Sequence, residues 1–138
     1  MQRTLSLAAS ILVALPQVST AAGPFDGTWS VTQDCTAGAQ GGARGYKYLF
    51  DVVVTNGNLS GQYGTKGHPA SETLTGRIEP DGSASLVATG LTGKSETTIG
   101  FVQPGTPFSF PAEARFEATK GSGKRTVGRP CAFTFIKK

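Results

Sequence analysis

The chain has 138 residues, of which 13 are basic and 9 are acidic, and its formal net charge at pH 7 is +4. A chain of this length has room for one hydrophobic core, so we expect a single domain. The small positive charge keeps a protein soluble and favours anionic surfaces, but it is too weak to indicate a nucleic-acid-binding protein.

Residues 1–22 have the pattern of a secretory signal peptide. A basic residue, Arg3, precedes an apolar run over residues 5–15, and a proline and several small residues follow. The run is too short to span a bilayer, and small residues are typical before a cleavage site. We therefore predict cleavage after Ala21 or Ala22. The alternative interpretation of this segment is a buried N-terminal helix.

Cleavage leaves a mature domain over residues 23–138. It removes one basic residue, Arg3, so 12 basic and 9 acidic residues remain, formally +3. We expect an exported monomer, located in the periplasm or outside the cell. No later apolar run in the sequence is long enough to cross a membrane, so stable membrane insertion is not expected.

The two cysteines, Cys35 and Cys131, predict one disulfide bond, because exported proteins fold in an oxidising compartment. The bond closes a loop of about 100 residues, which on a chain-entropy model stabilises the fold by up to about 4.7 kcal/mol. The alternative is a redox or metal-binding pair. It has little support, because the sequence has no Cys-x-x-Cys and only one histidine, His68.

Alternating apolar residues predict strands along the whole mature chain. The first strand places Trp29, Val31 and Cys35 on one face, and a loop of mostly glycine and alanine follows it. In the second strand, every other residue from Tyr46 to Val54 is aromatic or apolar. The predicted strands are residues 25–35, 46–55, 58–64, 71–79, 83–89, 95–103, 110–119 and 125–137.

Turns and loops separate these strands. Asn56-Gly57 is a strong hairpin signal, because both central residues of a type I′ turn need positive φ. Pro80-Asp81-Gly82 has the composition of a tight turn. The predicted loops are residues 65–70, 90–94, 104–109 and 120–124. In the sixth and eighth strands, alternation assigns these residues to the inner face: Thr97, Ile99, Phe101, Val127, Cys131, Phe133 and Phe135.

Eight short strands without a predicted helix indicate an antiparallel meander, either a closed up-and-down barrel or a β-sandwich. If the first strand pairs antiparallel with the last so that Cys35 faces Cys131, apolar residues meet on the core face. Val31, for example, then lies opposite Phe135. A closed barrel also removes both exposed sheet edges. We therefore predict an all-β, eight-stranded antiparallel barrel closed by one disulfide.

Gly27-Thr28-Trp29, at the start of the first strand, resembles the Gly-x-Trp signature of the calycin superfamily, which includes the lipocalins and avidins. Residues 58–63, Asn-Leu-Ser-Gly-Gln-Tyr, are similar to the second-hairpin pattern of bacterial avidins. The resemblance implies an eight-stranded up-and-down barrel in which a basic side chain near the C-terminus packs across the signature tryptophan. Lys137 lies opposite Trp29 in the predicted pairing and takes this structural role, a contact of about 0.5–1 kcal/mol.

The mature chain as a whole is similar to small exported bacterial proteins of unassigned function. They combine an opening like residues 25–31, Phe-Asp-Gly-Thr-Trp-Ser-Val, with a late cysteine on an aromatic final strand. The chain departs from avidins, whose biotin sites use several tryptophans, because it has one. It departs from lipocalins, which are longer and carry a helix beside the barrel. The resemblance therefore implies ligand binding in general and no particular ligand.

The inward aromatic residues either fill the barrel or leave a cavity for one small molecule. Small inward residues such as Gly61 and Gly76 make space for the rings. A void above about 300 Å³ would indicate a ligand pocket of usual size. The predicted inward rings are Trp29, Tyr46, Tyr48, Phe50, Tyr63, Phe101, Phe116, Phe133 and Phe135.

The end of the barrel opposite the tight turns carries the longer loops and many basic residues. Binding residues tend to lie on loops held by a rigid scaffold, so this end is the candidate binding face, and it suits an anionic partner. The alternative is that these are solvated residues that keep the protein soluble. The candidate ligand-binding residues are Arg44, Lys47, Lys66, His68, Lys94, Lys124 and Arg125, with Lys120 on the same predicted face.

Catalysis has little support in the sequence. It contains no zinc-binding histidine pair, no Gly-x-Ser-x-Gly, no phosphate-binding loop and no second histidine. We expect no enzyme, no cofactor and no metal. Three hypotheses follow. The chain is an exported barrel that binds a small apolar or anionic molecule, a protein-interaction barrel such as a periplasmic protease inhibitor, or an enzyme that a broad activity screen would reveal.

Overall fold

The computed structural model describes residues 10–15, 23–38 and 42–138. No helix in these ranges is long and apolar enough to cross a bilayer. Within them lie eight strands and two short 3-10 helices. The helices are Ser95–Thr97 and Ile99–Phe101. The strands are β1 Gly27–Cys35, β2 Tyr46–Thr55, β3 Asn58–Tyr63, β4 Ser71–Ile78, β5 Ser83–Leu91, β6 Pro107–Phe116, β7 Lys120–Arg125 and β8 Cys131–Lys137.

Most of the predicted signal peptide, including its cleavage positions Ala21 and Ala22, lies outside the described residues. Residues 10–15, from its apolar run, form no helix or strand. The side chains of Ile11, Leu12, Val13 and Leu15 are exposed. The alternative of a buried N-terminal helix is therefore wrong for this described part of the run.

The eight strands form one closed antiparallel barrel, in which each strand pairs with the next along the chain and β8 pairs with β1. The predicted fold class is confirmed. At the seam between β1 and β8, Cys35 lies opposite Cys131, and Val31 lies opposite Phe135. The two sulfurs are bonded at 2.05 Å. The predicted register is therefore confirmed, and the disulfide joins the first strand to the last.

Glycines on the inner face let large neighbours fill the barrel. Gly61 on β3 lies between Val52 on β2 and Leu74 on β4. A Cβ atom at Gly61 would lie 2.4 Å from Cγ1 of Val52, so any larger residue would displace that side chain. Gly76 and Gly121 likewise lie opposite large apolar residues on both neighbouring strands.

The predicted strand over residues 95–103 is wrong. This segment belongs to the long β5–β6 connection, where the two 3-10 helices lie. Gly100 and Phe101 have φ angles of 79° and 51°, which no strand accommodates. Ile99 and Phe101, predicted to face inward, are 48% and 53% exposed. The predicted loop over 104–109 is also shorter than expected, because β6 begins at Pro107.

β7 takes the place of the predicted strand over residues 95–103 in the total of eight strands. Its residues 120–124 were predicted to form a loop, and Arg125 was predicted to begin the last strand. The sequence of β7, Lys-Gly-Ser-Gly-Lys-Arg, has no apolar side chain, so it shows no alternation of apolar and polar residues that would predict a strand. Gly121 and Gly123 face inward beside Phe135 and Phe133. The last strand correspondingly begins at Cys131 and not at residue 125, and Val127 is 63% exposed in the β7–β8 loop.

The two ends of the barrel differ. The closed end carries the β2–β3, β4–β5 and β6–β7 turns, and the half of the interior beside it is filled by aromatic rings. The Trp29 side chain is fully buried and meets Phe116 edge-on, with ring centres 5.1 Å apart. Its Nε1 donates a hydrogen bond to the carbonyl of Phe25 at 2.9 Å. Lys137 Nζ lies 5.8 Å from the centre of the Trp29 ring, in the position assigned from the sequence.

Candidate functional site

The described part of the open end consists of four connections: residues 36–38 with 42–45, 64–70, 92–106 and 126–130. The β5–β6 connection is the longest and contains both 3-10 helices. Arg44 N donates to the Glu96 carbonyl at 2.7 Å, which joins the β1–β2 loop to this connection. The open end is therefore covered by bonded loops, and loops held in this way are the usual place for a binding site.

Arg129 connects three of these loops through one side chain. Its Nε donates to the Thr36 carbonyl at 2.7 Å, its Nη1 to the Thr97 carbonyl at 2.5 Å, and its Nη2 to the Arg44 carbonyl. The residue is only 9% exposed. Sequence reasoning missed this role, because Arg129 was placed inside the last predicted strand and its partners are far away in the chain.

A pocket of about 160 Å³ lies beneath these loops. Four aromatic side chains form much of its wall, and threonine and serine hydroxyls and two guanidinium groups supply polar atoms. This combination of apolar walls with a few polar groups is typical of small-molecule sites. The lining residues are Tyr46, Tyr48, Thr92, Gly93, Thr97, Thr98, Ile99, Phe108, Ser109, Phe110, Arg125 and Arg129.

Two guanidinium groups line this pocket. Arg129 already donates to three carbonyls, so Arg125 is the cationic group that is available to a ligand. It is the last residue of β7 and alternates with the outward Lys124, so it faces inward. Its guanidinium carbon lies 4.3 Å from the centre of the Phe110 ring, and its Nε donates to the Val127 carbonyl at 2.5 Å. Burial lowers the pKa of Arg125 from its ordinary value. The group stays cationic at neutral pH, since a guanidinium titrates far above it.

A buried polar pair, Gln33 on β1 and Glu72 on β4, belongs to the same end of the interior. Gln33 Nε2 donates to Glu72 Oε1 at 3.1 Å, and both side chains are fully buried. Burial raises the pKa of Glu72 to about 7, although the hydrogen bond from Gln33 and the charge of Arg125 both act to lower it. Gly90 lies opposite Glu72, and a Cβ atom there would collide with the backbone of β4. β4 and β5 therefore approach each other closely beside the buried carboxyl group of Glu72.

Sequence reasoning missed this pair, although alternation contained the signal. Gln33 has the same parity as Val31 and Cys35, and Glu72 has the same parity as Leu74. Both were left off the inner face because polar residues are usually exposed.

Three tyrosines surround the pair on β2 and β3. Tyr63 lies directly opposite Glu72 across the strand pair. Tyr48 stacks on Tyr63 with ring centres 3.8 Å apart, and Tyr46 meets Tyr48 at 4.8 Å. Burial raises the pKa values of Tyr46 and Tyr48, and the charge of Glu72 adds to the effect. Both phenols are therefore neutral, and they offer hydroxyl groups and ring faces to the pocket.

The predicted ligand-binding residues do not form one cluster. Of the seven, all in the described part of the chain, Arg125 alone lines the pocket. Lys47 and Lys124 point outward, and Lys47 Nζ lies 3.7 Å from Asp34. The remaining four are exposed on the open-end loops: Arg44, Lys66, His68 and Lys94.

Lys120 was predicted at the open end, and this placement is wrong. It begins β7, directly after the β6–β7 turn, and so lies at the closed end. Its Nζ lies 3.8 Å from a carboxylate oxygen of Glu117. The error follows from reading residues 120–124 as a loop.

Two larger hollows lie on the outside of the barrel. One of about 560 Å³ runs over the outer faces of β4 to β7 among charged side chains such as Arg77, Glu113 and Arg115. The other, of about 460 Å³, lies at the closed end beside Pro24 and Asn56. Neither has the aromatic enclosure of the inner pocket, so we regard the smaller pocket as the candidate site.

Among the described residues, no three histidine, cysteine, aspartate or glutamate side chains lie close enough together to hold a metal ion. The chemistry available at the pocket is thus aromatic stacking, hydroxyl hydrogen bonding and one accessible guanidinium. Comparison of the chain with models of protein families, with curated proteins and with solved structures finds no match to it.

Proposed function

We propose that this protein is an exported, non-catalytic β-barrel that binds a small planar or apolar molecule carrying an anionic group in the pocket at its open end. One observation carries the proposal. Arg125, stacked on Phe110, presents a guanidinium to a pocket whose walls include Tyr46, Tyr48 and Phe108. Guanidinium groups recognise carboxylate and phosphate through paired hydrogen bonds, and aromatic walls accept a flat apolar body.

The pocket volume limits the ligand. Sites for drug-sized molecules usually measure about 300–1,000 Å³, and this pocket measures about 160 Å³. It therefore suits a molecule of the size of one aromatic ring with a carboxylate group. The closed half of the barrel offers no further depth, because Trp29 and Phe135 fill it.

Binding is favoured over catalysis by the titration of the nearby groups. A general base should have a pKa near neutral pH and should reach its substrate. The pocket-lining tyrosines have pKa values above their ordinary range. Glu72 has a suitable pKa, but it is fully buried and does not line the pocket. Among the described residues, neither the pocket-lining tyrosines nor Glu72 therefore combines the required pKa with access.

Export is supported by the signal-peptide pattern of residues 1–22 and by the Cys35–Cys131 disulfide, since disulfides persist in oxidising compartments. The exposed apolar side chains of residues 10–15 fit a segment that does not belong to the core. Mass spectrometry of the protein from its own cells tests this part. We expect a mature N-terminus at Ala22 or Gly23, and an intact N-terminus would contradict export through cleavage.

Ligand binding is tested by NMR titration of the mature domain with benzoate and with benzamide, its neutral counterpart. We expect benzoate to shift the amide signals of residues 92–98, 108–110 and 125–129. Benzamide should bind more weakly, because it cannot pair with Arg125. Equal shifts for both compounds, or shifts only on the outer faces, would contradict the proposal.

A matched pair of variants isolates the guanidinium. Arg125→Met replaces the charged side chain with an uncharged, unbranched one, and Lys124→Met does the same to the adjacent outward residue. A charge-assisted hydrogen bond contributes about 1.5 kcal/mol or more, so R125M should weaken benzoate binding by about tenfold. K124M should leave the affinity unchanged. Equal losses in the two variants would indicate that only the overall charge matters.

A second function, binding to a protein, is favoured by exposed apolar side chains on the open-end loops. Ile99, Phe101 and Val127 are 48%, 53% and 63% exposed, and two of them follow each other closely in the β5–β6 connection. Apolar residues rimmed by polar ones are typical of interaction surfaces. Crosslinking of the wild type and of Phe101→Ser with other exported proteins tests it. A crosslinked partner whose yield does not fall in F101S would contradict this assignment.

A further inference from the structure

The buried pair Gln33–Glu72 leaves two oxygens without a partner. Gln33 Nε2 donates to Glu72 Oε1, and among the described residues neither Gln33 Oε1 nor Glu72 Oε2 has a hydrogen-bond partner. Buried polar atoms are nearly always paired, so each such atom needs an explanation. Both belong to fully buried side chains. They are also complementary, because a proton on Glu72 Oε2 would supply the donor that Gln33 Oε1 lacks.

One proton would thus satisfy both atoms. A carboxylic acid and a primary amide can form a ring of two hydrogen bonds, with N–H donating to the carboxyl carbonyl and O–H donating to the amide carbonyl. The first of these bonds is present at 3.1 Å. An ionised Glu72 can make only that first bond, and its second oxygen would be a buried, unpaired charge.

The position of Arg125 agrees with a neutral Glu72. The two groups are close enough for each charge to affect the other's pKa. A buried carboxylate beside a guanidinium is expected to pair with it, since an uncompensated buried charge is strongly destabilising. Within the described chain, however, Glu72 forms no ion pair, and Arg125 instead donates to Val127 and lies over Phe110.

We propose that Glu72 carries a proton at acidic pH, bonded to Gln33 through both of its oxygens, and that release of this proton to solvent as the pH rises draws Arg125 away from the pocket. The open-end site would then bind an anion most tightly at low pH and release it as the pH rises. The pH-dependent release of an anion rests on the proposed binding function. The protonation of Glu72 and its effect on Arg125 do not.

The groups around Glu72 single it out as the group that changes charge near neutrality. Tyr46 and Tyr48 on β2 stay neutral because their pKa values are raised, and Tyr63 on β3 lies opposite Glu72. Arg129, from the β7–β8 loop, is held by three carbonyls. The cross-strand neighbours contributed by β5, β6 and β8 have no titratable group: Gly90, Phe108 and Phe133. The side chain of His68 is exposed in the β3–β4 loop. Its backbone carbonyl accepts a hydrogen bond from Ser71 Oγ at 2.6 Å.

The proton is tested by infrared spectroscopy of the mature domain with ¹³C-labelled glutamate. A buried neutral carboxyl has a carbonyl band distinct from that of a carboxylate. We expect this band at about pH 6, with a loss at about pH 9, and its absence from Glu72→Gln, which keeps the shape and the amide pairing. In a parallel NMR titration the Arg125 Nε signal should move with the same midpoint. His68→Gln, which removes the one imidazole in the sequence, should change neither result.

The outcomes separate this inference from the proposed function. If no protonated-glutamate band is present at about pH 6, Glu72 is ionised, a bound water or the cation satisfies it, and the inference is overturned even if benzoate binds. If the band and the Arg125 signal titrate together but benzoate binds at no pH, the switch stands and the proposed function fails. If both hold, benzoate affinity should fall by about tenfold between about pH 6 and pH 9 in the wild type and stay constant in E72Q. An affinity that falls equally in E72Q would overturn the link between Glu72 and Arg125.

Discussion

The closed and open halves of the barrel interior are occupied by different kinds of side chain. In the closed half, rings such as Trp29, Phe116 and Phe135 fill the space between inward glycines, and the one indole nitrogen finds a carbonyl. In the open half, the same inward positions hold Gln33, Glu72 and partly buried tyrosines. A filled apolar interior stabilises the fold, whereas a polar interior with unpaired atoms costs stability. We therefore expect the closed half to maintain the barrel and the open half to carry the proposed binding function.

The largest effect should follow from emptying the closed half. Trp29→Ala removes a fully buried indole and its hydrogen bond to Phe25. Truncation of a buried aromatic residue costs about 3–5 kcal/mol, so we expect chemical denaturation to show a loss of that size. Leu49→Ala is the matched control, because Leu49 faces outward on β2 and is 67% exposed. If W29A cost no more than L49A, the closed half would not be the source of stability.

In the open half, the main effect should depend on pH. The pKa of Glu72 is about 7 in the folded chain and 4.5 for the unperturbed group, so the folded state binds this proton more tightly. The resulting stability is fully present below about pH 4.5 and is lost as pH rises through about 7, a change of about 3 kcal/mol.

Denaturation curves over this pH range check that prediction. Glu72→Gln should abolish this part of the pH dependence, because its amide does not titrate. Glu113→Gln, at an exposed position on β6, should retain it. A wild-type stability that rises between pH 4.5 and 7 while E72Q shows the same rise would mean that other carboxyl groups dominate.

A smaller and local effect should follow from releasing the open-end loops. Arg129→Met removes the donors to Thr36, Thr97 and Arg44, whose carbonyls then depend on water. Hydrogen bonds to charged groups contribute about 1.5–3 kcal/mol, and solvent near the loops will recover part of this. Hydrogen exchange should accelerate for the amides of residues 92–106, while those of β3 and β4 stay protected.

The closed end again provides the control for the loop variant. Arg77 is exposed there, pairs with Glu79 at 3.7 Å and contacts Asn58 at 3.3 Å. Arg77→Met should change stability by no more than about 0.5 kcal/mol. Equal acceleration across both ends in R129M would show that Arg129 supports the whole barrel and not the loops alone.

The sequence was most informative where side chains alternate in size and polarity. In β1, β2 and β8 most inward residues, with the exception of Gln33, are large and apolar, and the cysteines then fix which residues face each other across the seam. β7 was missed for a physical reason, since none of its inward residues is apolar and large: Arg125 is charged, and Gly121 and Gly123 fill little space and make room for Phe135 and Phe133. The segment over 95–103 was misread because alternation alone does not reveal positive φ at Phe101.

The candidate site was harder to predict than the fold. Of its charged residues, Arg125 was named from the sequence and Arg129 was not, because its three carbonyl partners come from distant loops. The alternation assigns Gln33 and Glu72 to the inner face. Both were left off the predicted inner face because polar residues are usually exposed. Gln33 and Glu72, two polar residues at inward positions of the alternation, both lie in the open half.

The smallest effect concerns the feature shared with calycins, a resemblance that stays a prediction. Lys137 Nζ lies 5.8 Å from the centre of the Trp29 ring at the closed end. A cation over an aromatic face contributes about 0.5–1 kcal/mol when partly exposed, so Lys137→Met should reduce the free energy of unfolding by that amount. Lys120→Met, whose lysine lies 3.8 Å from the exposed Glu117, should have a smaller effect. In the W29A background the K137M effect should disappear, because the ring that attracts the cation is gone; an unchanged K137M effect there would show that the lysine acts through its aliphatic chain or through other charges.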